Sequence, residues 1–110
     1  MPEKSEKELS DRIAREFAAE LRRRLGDRIQ KIILYGSRAR GDFREGSDFD
    51  LIVLTEKPSR EVESLVLDLE GEFMDRYNVL ICSFVRGTRE WREWRRYPFV
   101  ELVEAEGIIL

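Results

Sequence analysis

Between Ser5 and Leu25 the apolar residues Leu9, Ile13, Phe17, Leu21 and Leu25 recur at every fourth position, with charged residues on the other positions. This spacing predicts an amphipathic helix with one buried stripe, ended by Gly26 as a C-cap. The period then changes. Ile29 to Tyr35 and Asp50 to Thr55 are short, rich in β-branched and aromatic residues, and bounded by turn signals, which predicts two core strands. The stretch GSRARGDFREGS between them is too short for a full crossover helix but leaves room for one helical turn and a loop, so the strands should be neighbours in one sheet. After Pro58, Ser59 is placed to cap a helix reaching about Tyr77, with Val62, Leu65, Val66, Leu69, Phe73 and Met74 on one face. Asn78 to Val85 reads as a third strand. Thr88 begins a helical region that Pro98 divides, and Gly107 precedes a short apolar tail, Ile108 to Leu110. The expected fold class is α/β (α+β): a small mixed β-sheet of three or four strands packed with helices.

At 110 residues the chain fits one domain, over positions 1–110. Hydrophobic residues make up 42%, enough for one core, and charged residues 39%, against about 25% in typical soluble domains. Disorder and a membrane-spanning architecture are both excluded on this pattern, since the longest uninterrupted apolar run, Leu51 to Leu54, is far too short for a bilayer. The net charge is −3 and both signs are interspersed, so global attraction to nucleic acid is not expected. The N-terminal residues lack the apolar stretch of a signal peptide and there is one cysteine, Cys82, which points to a reducing compartment, the cytoplasm. Among the bases there are 16 Arg and 4 Lys, and Asn and Gln occur once each. The scarcity of labile residues suggests a thermophilic source.

No histidine is present, which removes the commonest general base and metal ligand and every Ser/His or Cys/His dyad. Chemistry must rest on carboxylates, arginines and hydroxyls, with or without a metal. The informative residues are Tyr35-Gly36-Ser37-Arg38-Ala39-Arg40-Gly41 and, after a loop, Ser47-Asp48-Phe49-Asp50-Leu51. Gly36 and Gly41 have Walker A spacing, but Asp42 stands where its lysine would be. An EF-hand fails too, because Ile52 and Val53 occupy positions that need an oxygen ligand and a glycine. Asp48 and Asp50, two apart at a strand start, project from one face while Phe49 points to the other. Two like charges forced together beside an apolar run call for a cation, and Mg²⁺ shared with substrate phosphates suits paired carboxylates. Gly36 and Ser37 lead from a strand into a helical turn, where free N–H groups can hold a phosphate, and Arg38 or Arg40 could neutralise further triphosphate charge.

The run resembles the GS-x-ARG…SDxDL signature of the nucleotidyltransferase superfamily that includes DNA polymerase β, particularly its minimal nucleotidyltransferases. The close likeness spans Ile32 to Leu54. It implies a nucleotidyltransferase-like fold, with Gly36 and Ser37 on the nucleotide phosphates and Asp48 and Asp50 as catalytic, metal-binding carboxylates for Mg²⁺, two ions with the bound nucleoside triphosphate. Arg38, Arg40 and Ser47 become further nucleotide-binding candidates. The implied reaction joins an acceptor hydroxyl to the α-phosphate of a nucleoside triphosphate, ATP being the expected donor. Active members usually carry a third carboxylate on a later strand, whereas Asn78 to Val85 contains none. Glu70, Glu72 and Asp75 lie on the preceding helix and could approach the site only if its end overhangs it. The alternative is therefore a nucleotide-binding, antitoxin-like subunit that acts by binding a HEPN-type partner protein. A homodimer is a further expectation.

Two other features have plainer readings. Cys82 reads as a small apolar residue inside a strand, without a role. Arg86, Arg89, Arg92, Arg95 and Arg96, interleaved with Trp91 and Trp94, could stack on bases or grip a phosphate backbone, but Glu90 and Glu93 offset the charge. At helical spacing the tryptophans are expected in the core or at a subunit interface, so no nucleic-acid partner is expected.

Overall fold

The computed structural model describes residues 2–110. Helix α1 (Lys4–Leu25) is followed by a 3₁₀ turn at Gly26–Arg28, strand β1 (Ile29–Tyr35) and a single helical turn, α2 (Ser37–Arg40). Strand β2 (Phe49–Thr55), helix α3 (Arg60–Tyr77) and strand β3 (Ile81–Gly87) come next. Two helices, α4 (Thr88–Glu93) and α5 (Pro98–Glu106), and the two-residue strand β4 (Ile108–Ile109) complete the chain. The four strands form one mixed sheet in the order β3-β2-β1-β4, with β1 antiparallel to β2 and β4, and β2 parallel to β3. The apolar tail is thus the fourth strand.

The sheet has two differently covered faces. Alternate residues Ile32, Leu34, Phe49, Leu51, Val53, Ile81 and Val85 pack under α1 and α3 in the larger core, together with Phe17, Leu21, Leu69 and Phe73. Ile33, Ile52 and Leu54 face the other way, under Trp91, Val100 and Val103 of α4 and α5. That second cover is smaller. It leaves Phe84 of β3 46% exposed.

Several sequence expectations shift by a few residues for physical reasons. Leu9 is 43% exposed, and Ser10, Ala14 and Ala18 are buried in α1 instead. A strict four-residue repeat drifts around a helix of 3.6 residues per turn, so the stripe cannot stay on one face to its end. Met74 is likewise 45% exposed on α3. The third strand starts later than Asn78 because Asn78 takes the left-handed conformation, φ 54°, as the C-cap of α3, donating its N–H to Met74 O. It also runs on past Val85, since pairing with β2 continues to Thr55↔Gly87. Ser59 caps α3 as expected, its hydroxyl accepting from Val62 N at 3.2 Å, and Pro98 opens α5 at its first turn.

Candidate functional site

The C-terminal end of β1 and the N-terminal end of β2 meet at one end of the sheet, in its two central strands, and the register aligns three side chains there. Tyr35 pairs with Asp50, and Asp50 pairs with Cys82. Directly opposed residues project from the same face, with Cβ atoms about 5 Å apart. Tyr35, Asp50 and Cys82 therefore form a row across β1, β2 and β3, on the face left partly open beyond α4 and α5. Asp48 is exposed and Asp50 half-buried.

Gly36 closes this row from the side of α2. Its φ of 74° and ψ of −156° lie in a region that side-chain-bearing residues avoid. A Cβ there would also stand 2.8 Å from Asp50 Oδ2, so the turn and the carboxylate pack against each other only with glycine between them. Gly36 O accepts from Ala39 N and Arg40 N, at 3.1 and 3.0 Å, and Gly41 N closes the turn on Ser37 O at 2.9 Å. The N–H groups of Ser37 and Arg38, at the start of α2, precede any intrahelical partner.

The electrostatics follow from this packing. Burial, and then the neighbouring Asp48, raise the pKa of Asp50, while Arg40 pulls it down. The Tyr35 hydroxyl is pushed up to about 12, first by burial and then by Asp50. The Cys82 thiol is raised by burial and by Asp48, Asp50 and Glu70, and its Sγ lies 4.0 Å from Asp48 Oδ2. All three shifts disfavour further negative charge, which is the condition in which a cation or its phosphate complex is stabilised.

The other residues singled out in the sequence divide. Arg40 faces this end, held by Asp42 at 3.2 Å and by Glu106 of α5 at 3.0 Å. Ser47 lies in the loop, its hydroxyl accepting from Arg44 N at 2.9 Å. Arg38 forms no hydrogen bond to the carboxylates, although Asp48 is near enough to act on its charge. Its guanidinium lies 4.2 Å from the ring centroids of both Phe43 and Phe49 and donates to Ser47 O at 2.8 and 3.3 Å. Of the acids on α3, Glu72 is spent on Arg24 of α1, at 2.6 and 2.8 Å. Glu70 accepts from Ser83 N at 2.9 Å, blunting the free edge of β3. Among the described residues, no group of three or more His, Cys, Asp or Glu is arranged to hold a metal ion.

Sequence reasoning missed Tyr35 and Cys82. Tyr35 could be suspected from its place just before Gly36, but Cys82 emerges only once the β2–β3 register is known. In the basic segment, Trp91 is 4% exposed and donates from Nε1 to Glu104 Oε1 at 2.7 Å, so it is a core residue. Trp94 packs half-buried on the same cluster.

A model of the nucleotidyltransferase domain matches residues 14–105, which include this whole arrangement. The chain belongs to the nucleotidyltransferase domain family. Two chains of Methanocaldococcus jannaschii, each named "Putative protein adenylyltransferase", are similar along nearly their full lengths. One is 28% identical over 87% of this chain and 93% of its own, the other 31% identical over 91% and 96%. The fold is shared with a crystal structure described as "the toxin-antitoxin with AMP-PNP", at a TM-score of 0.58 and 18% identity, over 86% of this chain and 69% of that one. No helix of this nucleotidyltransferase domain, among the described residues, is long and apolar enough to cross a membrane.

Proposed function

We propose that this nucleotidyltransferase domain transfers a nucleoside monophosphate group from ATP to a hydroxyl on a partner protein, with Mg²⁺ as the required ion. The observation that carries this reading is the close approach of the Gly36 turn to Asp50, which leaves no room for a Cβ and sets bare backbone beside one carboxylate of the pair. In this reading the triphosphate lies over the turn. Ser37 and Arg38 offer it backbone N–H groups, and Arg40 offsets part of its charge.

The donor set fits a divalent ion shared with substrate. Asp48 and Asp50 would supply hard oxygen ligands to Mg²⁺, and substrate phosphate oxygens and water would have to supply the others. Bound there, Mg²⁺ would neutralise charge on the entering and leaving oxygens, and a pair of ions would do so at both. The acceptor oxygen bonds to the α-phosphorus as the bond to the pyrophosphate oxygen breaks. The hydroxyl proton leaves to solvent, because among the described residues no third carboxylate is grouped with the pair. The single thiol, kept unpaired, fits the cytoplasm as the compartment.

A second reading is favoured by one observation: Cys82 stands beside Asp50 on the strand where active relatives are expected to carry a third acid. The domain would then bind nucleotide without turnover and act as an antitoxin-like subunit on a HEPN-type partner. Incubation with α-labelled ATP, Mg²⁺ and the protein that co-purifies with the chain separates the two. Label on the partner, lost in Asp48→Asn and Asp50→Asn, supports transfer; Mg²⁺-dependent ATP binding with no label on any protein supports the second. An absence of ATP binding at millimolar MgATP removes both.

A further inference from the structure

The residue between the two carboxylates in sequence is the one whose side chain turns away into the core. Phe49 leaves β2 on the face opposite Asp50, into the α1–α3 core, where it is 1% exposed. Arg38 follows it. The guanidinium sits between the Phe49 ring and the ring of Phe43, itself 5% exposed, with both centroids at 4.2 Å. Desolvation there lowers the arginine's pKa, and the Asp48 carboxylate offsets this only in part. Two of its nitrogens converge on a single acceptor, the carbonyl of Ser47. That carbonyl and the Asp48 N–H belong to one planar peptide unit. Its orientation fixes the direction in which the chain enters Asp48, and Phe49 N is pinned on the other side by Leu80 O at 2.9 Å. An exposed carboxylate is thus mounted on backbone that is anchored before and after it.

We infer that Arg38 is a positioning residue: its guanidinium, clamped by Phe43 and Phe49, holds the Ser47–Asp48 peptide so that Asp48 is aimed at the shared metal, and its side chain is not a ligand of the triphosphate. The inference rests on the metal- and nucleotide-binding reading above. It differs from a phosphate-binding role in what a lysine can do. Lysine keeps the positive charge, but it has neither the flat surface that fills the slot between two rings nor the fork that converges on one carbonyl.

Three measurements on the whole chain decide it: ATP binding with Mg²⁺, ATP binding in EDTA, and amide hydrogen exchange without ligand. Arg38→Lys and Arg38→Met are both expected to lower the Mg²⁺-dependent gain in ATP affinity about tenfold, the lower end of what losing an outer partner of a metal ligand costs. Affinity in EDTA should stay within about twofold, and exchange at Asp48 and Phe49 should rise while β1 and α3 are unchanged. In an Asp48→Asn background, Arg38→Lys should change the gain by less than about twofold, because the residue it acts through is already silent. The inference is overturned if Arg38→Lys binds like the parent while Arg38→Met loses affinity in EDTA, the signature of a phosphate ligand. Additive losses in the Asp48→Asn background, or unchanged exchange at Asp48 and Phe49, also overturn it. If the parent chain itself shows no Mg²⁺-dependent gain, the metal-sharing reading fails, and the exchange comparison still tells whether Arg38 holds the peptide.

Discussion

At the start of β2, two aromatic rings clamp an arginine and the exposed groups are carboxylates; beyond the far end of the same strand, the aromatic Trp91 is core and the exposed groups are Arg89, Arg92, Arg95 and Arg96. The two regions are separated by roughly 16 Å along the strand from Asp50 to Thr55. Both mix arginine with aromatic residues, and from composition alone the second is the more conspicuous. What separates them is commitment. Arg38 is desolvated, stacked and doubly hydrogen-bonded, so its removal has consequences for one particular peptide. Among the described residues, no carboxylate lies within ion-pair distance of any of the four far-end arginines. An arginine free in water contributes charge, and little else, to the folded state.

The largest effect that would sharpen this contrast is on stability. Trp91→Ala should cost about 3–5 kcal/mol, the usual range for removing a buried aromatic side chain, and it also strands the Glu104 carboxylate. Arg95→Ala should stay within about 0.5 kcal/mol. Urea unfolding of the three proteins measures both, and similar losses would erase the distinction between a structural and a solvated member of one segment.

At the other end, Gly36→Ala is the next strongest change. It sets a methyl group against the Asp50 carboxylate and forces an L-residue into a region of positive φ. The expected loss is about 1–3 kcal/mol of stability, together with Mg²⁺-dependent ATP binding. Gly46→Ala has a positive φ too, 84°, but nothing within 4 Å of the added carbon. Its effect should be confined to stability. If both variants bind MgATP like the parent, the close approach of backbone to phosphate is not used.

Cys82→Asp acts in the opposite direction. Cys82 shares a face with Asp50 and is its neighbour in the parallel register, so an aspartate there would add the missing oxygen ligand to the pair. If the low count of acids limits the site, this variant should bind Mg²⁺ about tenfold more tightly in the presence of ATP, because ligand charge count tunes the affinity of carboxylate sites, and isothermal titration would show it. Weaker binding would mean that a third charge in the row is not offset by the ion.

Much of this architecture was legible beforehand, and the parts that were not share a cause. The strands around Gly36 and Asp48 announce themselves because a strand period, a glycine turn and an i, i+2 pair of acids are all local in sequence. The roles of Cys82 and Arg38 are not local. Cys82 acquires meaning from a β2–β3 pairing set some thirty residues away, by where α3 ends and how Asn78 turns the chain. Arg38 looks the same as Arg40 in the sequence, yet helical rotation sends one toward Phe49 and the other toward Asp42 and Glu106. Trp91 and Trp94 were readable from their spacing as core or subunit-interface residues. Nothing in the sequence says that α4 would spend them on the second face of the sheet, leaving β3 open beside the carboxylates.

The smallest expected effect concerns the cost of holding Asp50 ionised. Its folded-state pKa lies above the ordinary 3.8 because burial and Asp48 disfavour the anion. The native chain therefore binds this proton more tightly than the unfolded chain does. Linkage then gives a stability contribution that is present below 3.8, is lost as pH rises toward the raised folded value, and stays lost at neutral pH. Asp50→Asn cannot ionise and should escape that loss. Near pH 7 and without metal, it should melt on the order of 1–2 °C above the parent, a small margin because the carboxylate is half-exposed and screened by solvent. The margin should shrink as pH falls through 3.8 and vanish well below it, where the aspartate is protonated in both states. Mg²⁺ with ATP should reverse it, since only the parent recovers binding free energy from the ion. Glu70 also carries a raised pKa, but both chains possess it, so the difference between their melting curves isolates Asp50. Equal melting points from pH 3 to 8 would mean that the pair is no strain on the empty fold, and that the acidic end of β2 is as solvated as the arginines at its other end.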